Sequence, residues 1–427
     1  MGRAVILTGT GEGRRACASA SRISTTGGGA VEQFEQAQGG KKDVALVRKV
    51  LASGHQTVFE HQTYFVGFEN VSVAVEQFVI ESRLGSYTVK SRRYVDFSGA
   101  GYYTPEDMIE KEAYKQHMDS LFALYEELLA AGISREDARF VLPYCFCSNF
   151  YMTMNARELC RLVCQMAFGR GAHMPEIRLL GENLIEQLEQ DWPDVIAGMK
   201  KGYKAKDDMW RMEEDVRCKE AVPKATLTRS EDNAQERLAE AMRFTGREDM
   251  PLSELISDPR ARELEFLTYE FDIADVSLAC VTHFARHRIQ SILIPDVREA
   301  LTAGHYIVPE AVRKSALYEK YCAAFDHSRE MCLKMLEKGM DKAYAAYFAL
   351  AGMTVPLKVR MNAREIALFF RLRTCERAQW EIRVLARDML FQLRESAPGV
   401  FGAFGPSCKV LGYCPEGRLC CGNPPKL

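Results

Sequence analysis

The stretch Phe284-Ala285-Arg286-His287-Arg288-Ile289-Gln290-Ser291 decides how the rest of this sequence is interpreted. Its three consecutive cationic or titratable side chains follow a mostly apolar segment, residues 276–281. A solvated helix would interleave such charges with carboxylates three or four positions away, but the next acidic residue downstream is Asp296. The triplet therefore favours an anionic partner from elsewhere, such as a phosphate. An exposed basic helix face is the alternative.

Length and composition narrow the class of protein. The chain has 427 residues, enough for two or three domains, with 47% hydrophobic and 27% charged residues. A net charge of −2 gives no basic field, so no nucleic-acid partner is expected. No apolar run approaches the ~20 residues that span a bilayer, so no membrane contact is expected. Fourteen cysteines without framework spacing predict reduced thiols and a cytoplasmic location.

The second half of the chain repeats the first. Three pairs of segments recur in the same order, 204 to 207 positions apart: Met154-Asn155-Ala156-Arg157-Glu158 and Met361-Asn362-Ala363-Arg364-Glu365, Arg83-Leu84-Gly85-Ser86 and Arg288-Ile289-Gln290-Ser291, and Pro105 and Pro309. This predicts a tandem duplication of a unit of about 210 residues. We place the two domains at residues 1–217 and 218–427, the second ending in a cysteine-rich tail at 405–427.

Periodicity predicts a largely helical chain with short strands. Helices are expected over residues 42–53, 106–131, 134–149, 155–167 and 176–191, and a strand over 63–68. The glycine-rich segment 8–13 lacks the spacing of a dinucleotide fingerprint and is interpreted as a flexible turn.

Four motifs identify a family. The first repeat carries Gly54-His55-Gln56-Thr57-Val58-Phe59-Glu60-His61 and the loop Ser86-Tyr87-Thr88-Val89-Lys90-Ser91-Arg92-Arg93-Tyr94. The second carries Asn362-Ala363-Arg364-Glu365 and, after Arg373, the expected helix Arg377-Ala378-Gln379-Trp380-Glu381-Ile382-Arg383. Together with Arg286-His287-Arg288, these motifs resemble the flavin-dependent thymidylate synthases. The expected fold is α+β, with two tandem copies of a mainly helical domain built around a small antiparallel sheet.

The motifs are divided between the repeats. The first repeat has Glu81-Ser82-Arg83 where the family has Arg-His-Arg, and Met166 where the family has an arginine. The second keeps those residues but has Asp296 where its loop should have the second serine. The resemblance implies an inter-domain site that combines the loop of the first repeat with the arginines of the second. It also implies a homodimer resembling the family homotetramer.

The resemblance implies a reaction and its participants. The family methylates C5 of dUMP with methylenetetrahydrofolate and FAD reduced by NADPH, so a pyrimidine nucleotide is the expected partner. A guanidinium suits this reaction because it stays charged and stabilises negative charge on the uracil ring. Arg373 is the first catalytic candidate, with a helix-surface arginine as the alternative. Ser91 is the second, and a substrate-positioning role is favoured for it because no neighbouring base is evident.

The resemblance also assigns the binding residues. Substrate contacts are expected from Ser91, Arg92, Arg93, Arg139, His283, Arg286 and Arg373. Flavin contacts are expected from His55, Thr57, Arg286, His287, Arg288, Asn362, Arg364, Asn155 and Arg157. For His55, a plain core histidine is the alternative.

Several departures keep other functions open. Val89 and Ile294 stand where the family has Glu or Gln, and His283 or Phe78 where it has a nucleotide-binding glutamine. A non-catalytic flavin- or nucleotide-binding paralogue is one alternative, and a flavoenzyme acting on another pyrimidine nucleotide is another. The tail cysteines lack a zinc-knuckle spacing, so free thiols and no metal are expected.

Overall fold

Two four-stranded antiparallel sheets with the same strand order form the centres of the protein's two units. The computed structural model describes residues 2–214 and 216–422. Unit 1 comprises Met1–Leu129, Leu142–Met212 and Glu330–Phe348, and unit 2 comprises Ala130–Val141, Glu213–Arg329 and Ala349–Leu427. Each unit therefore includes one short segment of the other repeat. The predicted domain boundary at 217/218 stays a prediction.

The sheets show the duplication directly. The strands are β1 (Arg3–Gly9), β2 (Thr63–Ser72), β3 (Gly85–Val89), β4 (Cys147–Asn155), β5 (Lys219–Glu220), β6 (Lys224–Arg229), β7 (Thr268–Ser277), β8 (Ser291–Leu293), β9 (His305–Tyr306) and β10 (Thr354–Asn362). The order is β1-β2-β4-β3 in unit 1 and β6-β7-β10-β8 in unit 2. Strands β5 and β9 form a separate parallel pair. Corresponding strands thus occupy corresponding places.

Helices account for most of the remaining regular structure. They are α1 (Gly13–Ile23), α2 (Ala30–Gln36), α3 (Lys41–Ala52), α4 (Val73–Ile80), α5 (Lys111–Ala130), α6 (Arg135–Ala138), α7 (Ala156–Ala167), α8 (Pro175–Asp191), α9 (Val195–Met199), α10 (Ala234–Phe244), α11 (Leu252–Ser257), α12 (Leu278–Ala285), α13 (Glu299–Ala303), α14 (Glu310–Arg313), α15 (Tyr318–Glu337), α16 (Ala363–Arg373), α17 (Trp380–Ser396), α18 (Pro398–Phe401) and α19 (Ser407–Leu411). Short 3-10 turns lie at Gln56–His61, Arg139–Val141, Glu263–Phe266, Lys342–Phe348 and Gly417–Leu419. The expected α+β fold is confirmed.

Most of the predicted elements are present, but one is wrong. The predicted helix over residues 134–149 is helical over Arg135–Ala138, and the chain then enters β4. Alternate residues of β4, including Phe150, Met152 and Met154, are buried, as expected for a strand with one face on the core. Pairing with β2 and β3 on either side outweighs the local helical tendency.

Helices α4 and α12 form the apolar centre of each unit. Every residue of α4 is buried, as is every residue of α12 except His283. A short helix that is buried on all sides is a core element, and the one charged residue of α4, Glu76, is paired with Arg92. In residues 2–214 and 216–422, no helix is both long and apolar enough to cross a membrane.

Both central strands carry an irregularity at the same repeat position. Asn70 and Asp275 have φ values of 53° and 52°, in the left-handed region that Asn and Asp tolerate better than most residues. The strand register shifts beside each of them. A bulge inherited by both copies explains the match.

Candidate active site

The turn after α12 separates the three residues of the basic triplet. Its backbone is closed by a hydrogen bond from the His287 N–H to the Phe284 carbonyl oxygen at 2.9 Å. Arg286 and Arg288 are exposed on either side, whereas His287 is 4% exposed. Unit 2 therefore presents two guanidinium groups at its surface and turns one imidazole inward.

Both ring nitrogens of His287 have partners within unit 2. Arg373 Nε lies 3.0 Å from His287 Nε2, and Glu365 Oε1 lies 3.1 Å from His287 Nδ1. A guanidinium can only donate hydrogen bonds, so Nε2 must accept. The proton of the neutral ring is then on Nδ1, which donates to Glu365. Hydrogen-bond partners thus assign the tautomer.

Apolar surroundings keep this histidine neutral. The Phe369 ring meets the imidazole edge-on at 4.9 Å, and Phe284 stacks on Phe369 at 5.6 Å. Burial lowers the pKa of His287; the hydrogen bond that Nδ1 donates to Glu365 opposes that shift, and the charge of Arg373 adds to it. The neutral ring can accept a hydrogen bond from Arg373 without adding a second positive charge.

Arg373 is held at a second point. It is the last residue of α16, and its Nη2 donates to the carbonyl oxygen of His283 at 3.4 Å. The residue is half-buried, and a cation at a helix C-terminus is stabilised by the helix dipole. Two fixed contacts therefore orient the guanidinium that the sequence analysis assigned to catalysis. Catalysis by Arg373 stays a prediction.

A buried carboxylate fixes the start of α12. Glu381 Oε1 accepts from the Ser277 N–H at 2.8 Å, and its other oxygen accepts from the Ser277 hydroxyl, which caps the helix at Cys280 N. Burial raises the pKa of Glu381 to about 7, and the charge of Arg139 partly opposes that shift. Glu176 accepts from the Ser72 N–H in the same way in unit 1. The Ser–Glu pair is therefore a shared structural feature, not part of the chemistry.

Arg139, a predicted substrate contact, lies in unit 2 beside α17. It is 4% exposed, and its Nε donates to the Glu136 carbonyl oxygen at 3.1 Å. Its neighbour Asp137 accepts from Trp380 Nε1 at 2.8 Å, and Phe140 stacks on Trp380 at 6.1 Å. This first-repeat segment is thus anchored to the tryptophan of the second repeat's motif. The substrate contact stays a prediction.

The serine and arginines of the predicted nucleotide loop differ in exposure. The Ser91 hydroxyl accepts from the Arg93 N–H at 3.3 Å, and both residues are half-buried. Arg92 is buried and forms an ion pair with the fully buried Glu76, which also accepts from Ser148 Oγ at 2.6 Å. Arg92 therefore has a structural partner inside unit 1. All three substrate assignments stay predictions.

The remaining predicted flavin residues lie at corresponding places in the two units. His55 and Thr57 are exposed at the 3-10 turn of unit 1. Asn155 and Asn362 cap α7 and α16 by accepting from Glu158 N and Glu365 N at 3.0 and 2.9 Å. Next to the caps, Arg157 pairs with Glu60 and Arg364 with Glu265. These flavin contacts stay predictions.

Two residues, Glu365 and Arg170, were not predicted from the sequence. Glu365 belongs to a quoted motif, but the same Glu occurs in both repeats as Glu158, so the motif could not single it out. Arg170 was also missed. Its Nη2 donates to the Phe78 carbonyl oxygen at 3.3 Å, and Phe78 corresponds to His283, which accepts from Arg373. Arg170 lies four residues beyond Met166, the buried residue aligned with Arg373.

The basic triplet of unit 2 fits the diphosphate of a flavin dinucleotide better than its counterpart in unit 1. Arg286 and Arg288 offer two exposed cations to a diphosphate, whereas Glu81 replaces Arg286 in unit 1 and pairs with Arg170 at 2.7 Å. Across residues 2–214 and 216–422, no group of three or more His, Cys, Asp or Glu side chains is arranged to hold a metal ion.

Comparisons with known proteins agree with the motifs. The family model described as thymidylate synthase complementing protein matches residues 5–194 and 214–399. A flavin-dependent thymidylate synthase from Pyrococcus abyssi is 35% identical over 166 residues, 36% of this chain and 68% of that protein. One from Geobacter sulfurreducens is 34% identical over 179 residues, 40% of this chain and 75% of that protein.

A solved structure is also similar to part of the chain. It is a crystal structure of the UMP/dUMP methylase PolB from Streptomyces cacaoi bound with 5-Br dUMP, 20% identical, with a TM-score of 0.40, covering 47% of this chain and 95% of that one. The two matches of the family model together cover most of the sequence, one in each repeat. The predicted resemblance is therefore confirmed, and the protein belongs to the thymidylate synthase complementing protein family as a tandem pair of diverged family domains.

Proposed function

We propose that the protein is a flavin-dependent thymidylate synthase that methylates C5 of dUMP. Methylenetetrahydrofolate donates the carbon, and FAD reduced by NADPH is the cofactor. The observation that carries this proposal is the Arg373 guanidinium, held by a neutral imidazole at 3.0 Å and by the His283 carbonyl oxygen at 3.4 Å. Neither partner in these two contacts is a carboxylate.

The chemistry gives such a guanidinium a clear task. The methylene carbon of methylenetetrahydrofolate bonds to C5 of the uracil ring, its bonds to the folate nitrogens break to release tetrahydrofolate, and the proton on C5 leaves to solvent. Negative charge develops on the ring carbonyl oxygens while C5 acts as the nucleophile. A preorganised guanidinium beside those oxygens stabilises this charge in a site where water is scarce. Arg373 is assigned that role.

Residues of both repeats suit the cofactor. When bound, the reduced flavin supplies the hydride that completes the methyl group, and NADPH restores its reduced state. Arg286 and Arg288 are exposed cations suited to the phosphates of FAD. His55, Thr57 and the arginines of the Asn-Ala-Arg-Glu motifs complete the proposed flavin contacts. The homodimer and the cytoplasmic location also stay predictions.

Two measurements test this function. The purified protein should show a flavin absorbance spectrum, or acquire one with added FAD. It should then release tritium from [5-³H]dUMP when both methylenetetrahydrofolate and NADPH are present, and not when either is omitted. A protein that takes up no flavin and releases no tritium contradicts the proposal. Flavin uptake without release would indicate the non-catalytic paralogue, and release from labelled UMP or dCMP alone would indicate another pyrimidine substrate.

A further inference from the structure

We infer that Glu365 and His287 form a positioning pair that sets the orientation of the Arg373 guanidinium. Neither residue need touch the nucleotide, because Glu365 holds His287 and His287 holds Arg373. The inference rests on the proposed function for its catalytic meaning. Its structural content concerns only the three side chains of unit 2.

The geometry gives the chain of contacts one direction. The distances are 3.1 Å from Glu365 Oε1 to His287 Nδ1 and 3.0 Å from His287 Nε2 to Arg373 Nε. A carboxylate accepts and a guanidinium donates, so the imidazole between them must donate through Nδ1 and accept through Nε2. Without Glu365, either nitrogen could carry the proton, and the tautomer protonated at Nε2 could not accept from Arg373.

Burial makes the pair rigid. Glu365 and His287 are 3% and 4% exposed, so water does not compete for either hydrogen bond. The Glu365 backbone is also fixed, because its N–H donates to the Asn362 cap at 2.9 Å. The ring of Phe369 closes one side of the imidazole. A side chain held in this way can position another one more accurately than an exposed carboxylate could.

The arrangement also places a neutral ring between the Glu365 carboxylate and the Arg373 guanidinium. The charged groups that act on His287 are Glu365 and Arg373, both on α16. The neutral ring separates the carboxylate from the guanidinium, so Glu365 orients Arg373 without contacting it. In unit 1, by contrast, Glu81 contacts Arg170 directly at 2.7 Å. The pair thus orients the guanidinium through a neutral ring, without bringing the Glu365 carboxylate against it.

The repeats supply evidence that the pair is specific to unit 2. Glu158, the counterpart of Glu365, pairs with Arg161 at 2.9 Å. Ser82 stands in place of His287, and Met166 in place of Arg373. The Asn-Ala-Arg-Glu motif therefore persists in unit 1 for capping α7, but its glutamate there has no imidazole to hold.

The test compares Glu365→Ala and Glu365→Gln with Asp272→Asn, using the full chain. Asp272 pairs with the exposed Lys358 at 2.6 Å on the sheet of the same unit, so its variant removes one negative charge away from the pair. Selective ¹⁵N labelling of histidine and arginine reports the His287 tautomer and the solvent exchange of the Arg373 Nε proton. The His287 signal is identified by its loss in His287→Gln.

Wild-type protein and Asp272→Asn should show Nδ1 protonated, Nε2 unprotonated and slow exchange at Arg373 Nε. Glu365→Ala should mix the tautomers, speed the exchange and lower kcat for tritium release about 10- to 100-fold, as for other orienting groups, with little change in KM for dUMP. Glu365→Gln keeps an amide oxygen that can accept from Nδ1, so it should keep the tautomer and retain more activity than Glu365→Ala. Where the alanine variant folds poorly, the wild-type spectrum still tests the pair, because protonation of His287 at Nε2 would overturn the inference.

Unchanged nitrogen spectra together with unchanged kcat in both Glu365 variants would overturn the inference. A loss of thermal stability with wild-type spectra and kcat in the folded fraction would assign Glu365 a purely structural role, which also overturns it. The spectra require neither flavin nor nucleotide. A wild-type protein that shows the expected tautomer but releases no tritium would therefore refute the proposed function and not the positioning pair.

Discussion

Arg373 in unit 2 and Arg170 in unit 1 reach the same backbone position of their units with different partners. Each donates to the carbonyl oxygen of a matching helix residue, His283 at 3.4 Å and Phe78 at 3.3 Å. Arg373 is held by a neutral histidine, whereas Arg170 pairs with Glu81 at 2.7 Å and stacks over the Phe78 ring at 4.2 Å. One guanidinium is held by an imidazole, and the other by a carboxylate.

This difference teaches how a duplicated site can lose its chemistry while keeping its fold. The sheets, the Ser–Glu pairs and the helix caps are the same in both units. Replacing the triplet by Glu81-Ser82-Arg83 removes the imidazole and introduces a carboxylate. A carboxylate that contacts a guanidinium offsets the positive charge needed to stabilise an anionic ring. Unit 1 therefore retains a structural arginine at a place where unit 2 has a candidate catalytic one.

The largest effect is expected from removing the Arg373 guanidinium, on which the comparison between the units depends. Arg373→Ala should lower kcat for tritium release from [5-³H]dUMP about 100- to 1,000-fold, as for loss of one preorganised donor. Arg170→Ala, the matched variant in unit 1, should leave that rate unchanged, because Arg170 pairs with Glu81 and has Ser82 where unit 2 has His287. Equal losses in the two variants would show that the units do not differ as described.

A second prediction extends the comparison to the buried carboxylates. Burial raises the pKa of Glu381 from 4.5 to about 7, so the folded state holds a proton between these values that the unfolded state releases. The stabilisation that this proton contributes to the folded state is complete below pH 4.5 and is lost as the pH rises through 7. The difference between these two pKa values, roughly 2.5, corresponds to about 3 kcal/mol in the free energy of unfolding.

Glu381→Gln should remove this pH dependence, which thermal unfolding midpoints at pH 5 and pH 8 would measure. Glu176→Gln is the matched variant in unit 1, where burial also raises the pKa of the carboxyl, with Tyr347 as a further hydrogen-bond donor at 2.9 Å. The same slope with pH in Glu381→Gln and wild type would contradict the assignment.

A third prediction concerns the surface cations. Arg288→Glu should weaken flavin binding about 10- to 100-fold, because a charge-assisted hydrogen bond contributes about 1.5–3 kcal/mol. Arg83→Glu makes the same change at the matching exposed position of unit 1 and should leave the dissociation constant unchanged. Titration followed by flavin fluorescence measures both. Weaker binding in Arg83→Glu alone would place the flavin phosphates at Arg83 and not at Arg288.

The smallest effect is expected at the ion pair of unit 1. Glu81→Gln should change the free energy of unfolding by less than about 1 kcal/mol, because the Arg170 side chain is half exposed and such pairs are weak. In an Arg373→Ala background it should not restore tritium release, because Ser82 offers no imidazole to orient Arg170. Restored release would show that the Glu81 carboxylate alone accounts for the functional difference between Arg170 and Arg373.

Much of this organisation could be read before the fold was known. The repeated motifs predicted the duplication, the α+β fold and the family, and all three are confirmed. The helix expected over residues 134–149 was wrong because Cys147–Asn155 pairs with strands distant in sequence. Local periodicity does not contain that information.

Arg170, which was not predicted, shows a second limit of prediction from sequence. Repeat alignment places Met166 opposite Arg373, but the chain beyond α7 brings Arg170 back to Phe78. That turn depends on Gly171, where an added Cβ would lie 2.6 Å from Ile177 and 2.9 Å from Phe78. A pairwise alignment of motifs compares residue types at fixed offsets, so it misses a side chain that arrives from a different position.

The sequence by itself determined the duplication, the division of motifs between repeats and the identity of Arg373 as the candidate catalytic residue, because these depend on residue type and order. Only the tertiary structure decided which nitrogen of His287 carries its proton, that Glu365 holds it, and that Arg170 pairs with Glu81. His287 and Glu365 are 78 residues apart along the chain yet 3.1 Å apart in space. Hydrogen-bond direction and burial depend on such distances, which folding creates.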